Sequence, residues 1–148
     1  MNIPHRVIVS GFPGIGKSNL AQNSSLRVQD SDSSKFPKDK FPANYIKHIQ
    51  TTYKDYDITL VSSHQLVREA LVAAGLDFWL VYPQADLKNE YLRRYARRLS
   101  PPEFIKMMDE NWDSFIQSCQ AQQGAKHLQL KSGQYLDNVI GGCLWLSS

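Results

Sequence analysis

Five short apolar segments recur along the chain, separated by stretches in which apolar residues return every three or four positions. The short segments, Arg6–Ser10, Leu26–Gln29, Asp57–Ser62, Asp77–Tyr82 and His127–Lys131, predict β-strands. Ile58-Thr59-Leu60-Val61 and Phe78-Trp79-Leu80-Val81 carry apolar residues on both faces, as parallel strands buried on both sides require. The stretches between predict helices over Lys17–Asn23, Ala43–Tyr53, Gln65–Ala74, Asp86–Leu99, Pro102–Gln122 and Gln134–Val139. Pro101 and Pro102 break the two long helices apart, and Pro102 suits the first turn of the second one. Strands alternating with helices predict an α/β domain built on a parallel sheet, one domain over residues 1–148.

The two long helices differ in their polar faces. In the second, Phe104, Ile105, Met108, Trp112, Phe115, Ile116 and Cys119 form an apolar stripe that predicts core packing. In the first, Leu87, Tyr91, Leu92, Tyr95 and Leu99 fall on one buried arc. Arg93 and Arg97 share the opposite face, with Arg94 and Arg98 at its edge.

Bulk properties set limits. The chain has 148 residues, 42% hydrophobic and 21% charged, which suits an ordinary globular domain with a sizeable core. A net charge of +3 fits anionic substrates without requiring nucleic acid. Cys119 and Cys143 lack metal-ligand spacing and are expected as free thiols in a reducing cytoplasm. No leader is expected before the first strand, and no apolar run approaches membrane-spanning length.

The chemistry enters at Gly11-Phe12-Pro13-Gly14-Ile15-Gly16-Lys17-Ser18, a complete G-x-x-x-x-G-K-S phosphate loop directly after the first strand. Its glycines let successive N–H groups of the loop, with those of Ile15 and Asn19, turn toward phosphate oxygens. Lys17 reaches the β- and γ-phosphates, and the Ser18 hydroxyl takes a place on Mg²⁺. The helix that follows adds partial positive charge at its N-terminus. A nucleoside triphosphate, expected to be ATP with Mg²⁺, is the implied ligand.

Asp30-Ser31-Asp32 lies at the carboxyl end of the second strand, where open α/β sheets bind ligands. Asp30 suits Mg²⁺ held through water, since that ion takes oxygen ligands and keeps several of its waters. Asp32 suits the acceptor, as proton acceptor or orienting group. Short polar side chains at a turn are the alternative reading of the same residues.

The phosphate loop followed by D-S-D resembles the small P-loop kinases, a group that includes shikimate, adenylate-type and polynucleotide kinases. The segments VSGFPGIGKS, DSDSSKF, VSSHQLVREAL, VYP and LKNEYLRRYARR together resemble small nucleotide kinases carried by bacteriophages of Gram-positive bacteria, and this likeness spans nearly the whole chain. The resemblance implies a three-layer fold with a five-stranded parallel sheet of order 2-3-1-4-5. It places an acceptor-binding insert at 33–56 and an arginine-bearing lid with its following helix at 86–122. It also implies a location in the cytoplasm, that of the host if the chain is phage-borne. Lys17 and Asp30 are closer in sequence than in shikimate kinases, so the first helix must be stubby.

Arginines of the lid, Arg93 and Arg97 foremost, are candidates to neutralise charge on the transferring group, against the alternative of a solvated basic face in which Glu90 pairs with Arg94. The insert offers Lys35 and Tyr45, with further lysines, as acceptor contacts, or forms an ordinary surface helix. Ser62-Ser63-His64 ends the third strand without the aspartate usual there, so magnesium must lean on Ser18 and Asp30. His64 reads as a helix cap or polar loop residue and Arg68 as a contact to the acceptor's phosphate; the resemblance to adenylate-type kinases, which contact the base after the last strand, implies Gly133 as a contact to the donor base.

The expected function is transfer of phosphate from ATP to a (deoxy)nucleoside monophosphate, by a monomer or homodimer. Two alternatives remain: a kinase acting on a polynucleotide or a modified base in DNA, and a nucleotide-binding regulator without transfer activity.

Overall fold

A computed structural model of the chain describes residues 6–23 and 25–146. The strands are β1 Val7–Gly11, β2 Val28–Asp30, β3 Ile58–Ser62, β4 Trp79–Pro83 and β5 Lys126–Leu130. All neighbours pair in parallel, in the order β2-β3-β1-β4-β5. Six helices follow among the described residues: α1 Lys17–Asn23, α2 Ala43–Thr52, α3 Gln65–Ala73, α4 Lys88–Arg97, α5 Pro102–Ala121 and α6 Leu136–Leu146. The five-stranded parallel α/β architecture and its strand order are those expected. No helix among the described residues is long and apolar enough to cross a membrane.

The strand order positions the site. From β1 the chain moves away to β2, then returns through β3 and crosses over β1 to β4. Right-handed crossovers in opposite directions put successive helices on opposite faces of the sheet. Consistently, α1 packs beside α6, while α2 packs beside α3 and α4 beside α5. The winding reverses at β1, so a crevice opens above its carboxyl end, and the phosphate loop leaves β1 there. Val7, Ile8 and Val9, and Ile58, Leu60 and Val61 of β3, are buried on both sides of the sheet.

Several expected boundaries shift for identifiable reasons. α4 stops at Arg97 instead of Leu99, because the Ser100 N–H closes back onto Tyr95 O and that of Leu99 onto Ala96 O. This closure puts Leu99 at φ 60°, in the left-handed region where glycine is usual. Leu99 is therefore not part of the buried arc; it is 87% exposed. The start of the same element is a 3₁₀ turn, Ala85–Leu87, held by the Leu87 N–H on Gln84 O. α6 begins at Leu136 and runs on to Leu146, well beyond the expected end at Val139. Two glycines at 141–142 cost about 1 kcal/mol each in a helix, but Leu136, Ile140 and Cys143 bury one stripe across them.

Candidate phosphate-binding site

The loop from Gly11 to Ser18 lies on an aromatic bed. Phe12 is 2% exposed and meets Trp112 edge-to-face at 5.3 Å and Tyr91 at 6.3 Å. Its N–H donates to Val81 O of β4 at 3.0 Å. Each loop carbonyl beyond it is captured from outside. Pro13 O accepts from Tyr95 Oη (2.9 Å), Gly14 O from Arg94 Nη1 (2.9 Å), Ile15 O from Leu136 N (2.8 Å) and Gly16 O from Leu20 N (3.1 Å). With the carbonyls held outward, the N–H groups of Gly14 through Ser18 donate to no backbone carbonyl among the described residues. That is the arrangement of a nest for an anion. Gly14 and Gly16 make the turn possible at φ 91° and 97°. A Cβ on Gly14 would also lie 2.8 Å from Tyr95.

Two hollows flank this loop. One, of about 580 Å³, runs from the loop past Asp30, Ser31 and Asp32 to Ser62–Arg68, and is closed by α5. The other, of about 770 Å³, lies over Gly14–Asn19 beneath α4 and Tyr135. Pro13, Lys17, Ser18 and Phe104 belong to both.

Lys17 sits at the junction, its ammonium donating to Gly11 O. Burial lowers it from its ordinary 10.5 to about 8; Asp30 and Asp32 oppose that shift and Arg98 adds to it. A bound triphosphate favours the ammonium, so binding is tightest below pH 8, where that form is already present. Above it the site must take up a proton to bind. Titration calorimetry with Mg-ATP should give about tenfold weaker binding at pH 9 than at pH 7. Equal affinities at the two values would show that Lys17 keeps its proton.

Asp30 and Ser18 are exposed on the wall of the acidic cleft, and their hard oxygens fit Mg²⁺ completed by water and phosphate oxygens. Asp32 Oδ1 accepts from the Ser34 hydroxyl at 2.7 Å and the Ser34 N–H at 2.9 Å. These bonds hold its carboxyl below the usual carboxylate range. Asp32 is thus ionised at neutral pH, a hydrogen-bond acceptor in the cleft and at the same time the cap of a 3₁₀ turn, Ser33–Lys35. The turn reading of D-S-D holds at Asp32, whose carboxylate still borders the cleft.

Other sequence candidates land elsewhere. Tyr45 is fully buried, clamped by Phe36 and Phe41, with its hydroxyl donating to Ser31 O at 2.7 Å. It braces D-S-D from behind and does not reach an acceptor. Lys35 is exposed and lines neither hollow. Arg68 borders the acidic cleft at 3% exposure, its guanidinium bonded to Ser63 O, Ser118 O, Ser118 Oγ and Gln122 Oε1. His64 precedes α3 without a side-chain cap. Gly133 is outside both hollows, and its N–H donates to Glu90. Phe104, Met108, Phe115 and Cys119 of the α5 stripe, expected as core alone, also wall the cleft.

The arginines divide sharply. Arg93 is exposed and borders neither hollow, whereas Arg97 lines the loop-side one. Arg94, expected at the edge of the polar face, is instead 6% exposed. It binds Gly14 O, Gln134 O and Glu90, sandwiched 4.3 Å over Tyr91 and 3.9 Å over Tyr135. The Glu90–Arg94 pair forms, but inside the molecule. Arg98 lines the hollow, lies over Tyr95 and Phe104, and acts electrostatically on Lys17. Arg98 was a lid candidate ranked behind Arg93 and Arg97, and Tyr135 was not a candidate. The signals for them were slight: a helix-edge arginine, and an aromatic residue two positions after Gly133.

Comparison with protein-family models gives no match to this chain, and comparison with curated proteins gives none. The fold and site define an α/β protein with a five-stranded parallel sheet of order 2-3-1-4-5 and a G-x-x-x-x-G-K-S loop at its switch point.

Proposed function

We propose that the protein is a P-loop phosphotransferase that moves the γ-phosphoryl group of ATP to a ribo- or deoxynucleoside monophosphate. The observation that carries this reading is that two hollows meet at Lys17 and Ser18. A regulator that only binds nucleotide needs one; a transferase needs a donor and an acceptor in line at one cation.

The donor phosphates occupy the loop amides and Lys17. The acceptor lies in the cleft between Asp32 and α3. An anionic acceptor is supported from two sides. The first turn of α3 has no side-chain cap, and Gln65 of that turn lines the cleft. Below it, the buried Arg68 guanidinium has no carboxylate partner among the described ion pairs and hydrogen bonds. A phosphate would balance that buried charge and satisfy the free amides.

In the reaction an oxygen of the acceptor phosphate forms a bond to the γ-phosphorus. The bond to the β,γ-bridging oxygen breaks, and ADP leaves with that electron pair. A dianionic acceptor has no proton to lose, so Asp32 need only orient it. Arg97 and Arg98 face the charge that spreads over the γ-oxygens. Asp30 and Ser18 would hold Mg²⁺, which when bound neutralises phosphate charge.

A coupled assay with Mg-ATP, a panel of ribo- and deoxynucleoside monophosphates and a 5′-hydroxyl oligonucleotide tests this. Turnover with one or two monophosphates is expected. Turnover with the oligonucleotide alone would move the acceptor to nucleic acid, a reading that draws on exposed Lys35, Lys38 and Lys40 in the segment that follows Asp32. ATP binding with no transfer to anything would leave a regulator.

A further inference from the structure

Tyr135 keeps 37% of its surface exposed although the Arg94 guanidinium covers one face of the ring at 3.9 Å. Its edge stands over Gly16, close enough that a Cβ there would be 3.1 Å from the ring, and it lines the loop-side hollow with Phe104, Arg97 and Arg98. With Arg94 on one face and Gly16 against the ring, the exposed part of this hollow-lining residue is aromatic surface held in place.

Of the polar side chains on this hollow, Ser18, Arg97 and Arg98 are assigned above to magnesium and the γ-oxygens, Arg94 is spent on the loop, and Asn19 has a partner of its own. The segment that leads from β5 to Tyr135, residues 131–134, does not border the hollow. Several of their hydrogen-bonding groups are also engaged. The Lys131 N–H donates to Gln134 Oε1, Gly133 to Glu90 Oε2, Gln134 to Lys131 O, Tyr135 to Asn138 Oδ1 and Leu136 to Ile15 O. Lys131 O and Gln134 O are accepting already, the latter from Arg94. Base discrimination needs a matched donor–acceptor pair at the edge, whereas every base has a π-face.

We propose that the donor hollow holds a nucleoside triphosphate by its phosphates and by the face of its base stacked on Tyr135, without reading the edge, so that ATP, GTP, CTP and UTP all serve as donors. This rests on the phosphotransferase reading, and the test separates the two. Dissociation constants would be measured by calorimetry for the four triphosphates and for inorganic tripolyphosphate, on the wild-type chain and on Tyr135→Ala, Tyr135→Leu and Tyr135→Phe.

The wild type should bind ATP and GTP within about threefold of each other. Tyr135→Ala and Tyr135→Leu should weaken each nucleotide about tenfold and leave tripolyphosphate unchanged, with Tyr135→Phe close to wild type. A wild-type preference for one purine of about twentyfold or more would overturn the proposal. So would an equal loss for nucleotide and tripolyphosphate in Tyr135→Leu, which keeps apolar bulk over Gly16. Should Tyr135→Ala fail to fold, Tyr135→Leu and the wild-type selectivity still decide. A folded wild type that binds tripolyphosphate but is selective sinks only this inference; one that binds neither ATP nor tripolyphosphate sinks the phosphotransferase reading as well.

Discussion

Lys17→Ala is expected to lower phosphoryl transfer about a thousandfold while leaving the folded state no less stable. The two halves of this result have different causes. Lys17 is the cation common to both hollows, which on the phosphotransferase reading is where charge would develop between donor and acceptor. Removing one preorganised charge of that kind costs about a hundred- to a thousandfold, and more in phosphoryl transfer, where positioning and electrostatics supply nearly all the catalysis. Stability moves the other way, because burial already disfavours the ammonium, as its lowered pKa of about 8 records. Alanine removes a charge that the folded state tolerates at a cost. Transfer assays and urea melts on the same preparation check both halves. Turnover within tenfold of wild type would refute the catalytic assignment, and a lower urea midpoint would show that the bond to Gly11 O stabilises more than burial of the charge costs.

Arg94→Ala should produce the opposite pattern, a loss of stability first. Its guanidinium joins three acceptors that are far apart in sequence: Gly14 O in the phosphate loop, Gln134 O before α6, and Glu90 on its own helix. Glu90 in turn accepts from the Ser132 hydroxyl and the Gly133 N–H, which with Arg94 hold its carboxyl below the usual range. Removing one partner of a buried, hydrogen-bonded ion pair costs about 3 kcal/mol. For a chain of this size that lowers the melting temperature by about 10 °C. Arg94→Lys should not restore it, since one ammonium cannot span the three acceptors and stack between two rings. Arg98→Ala, at an exposed site, should leave the melt nearly unchanged and so separates the two arginines. A wild-type urea midpoint in Arg94→Ala would mean that the Tyr91–Arg94–Tyr135 stack does not brace the loop.

The limit of sequence reasoning is clearest along α4. Helical spacing placed Arg93 and Arg97 together and Arg94 at the edge, because it weighs each residue only by polarity. It cannot know that a neighbouring loop offers carbonyls. Arg94 is buried because Gly14 O and Gln134 O need a donor there, and those groups lie 80 and 40 positions away. Tyr45 was misjudged the same way. An aromatic residue in a lysine-rich segment reads as a ligand contact until Phe36 and Phe41 are seen to enclose it.

What the sequence determined by itself was whatever depends on local periodicity and local backbone chemistry. Apolar runs separated by helical stripes dictate alternating strands and helices, and the phosphate loop carries Gly14 and Gly16 at the positions where the φ values are positive. The short span from Lys17 to Asp30 forces the stubby seven-residue α1. The tertiary structure alone decided which polar groups share a cavity and which are spent on one another. It set Lys17 and Ser18 between two hollows, put Arg94 under the loop, and engaged the hydrogen bonds after β5. Those outcomes follow from completing the hydrogen bonds of buried groups across the fold, a demand that no stretch of local sequence contains.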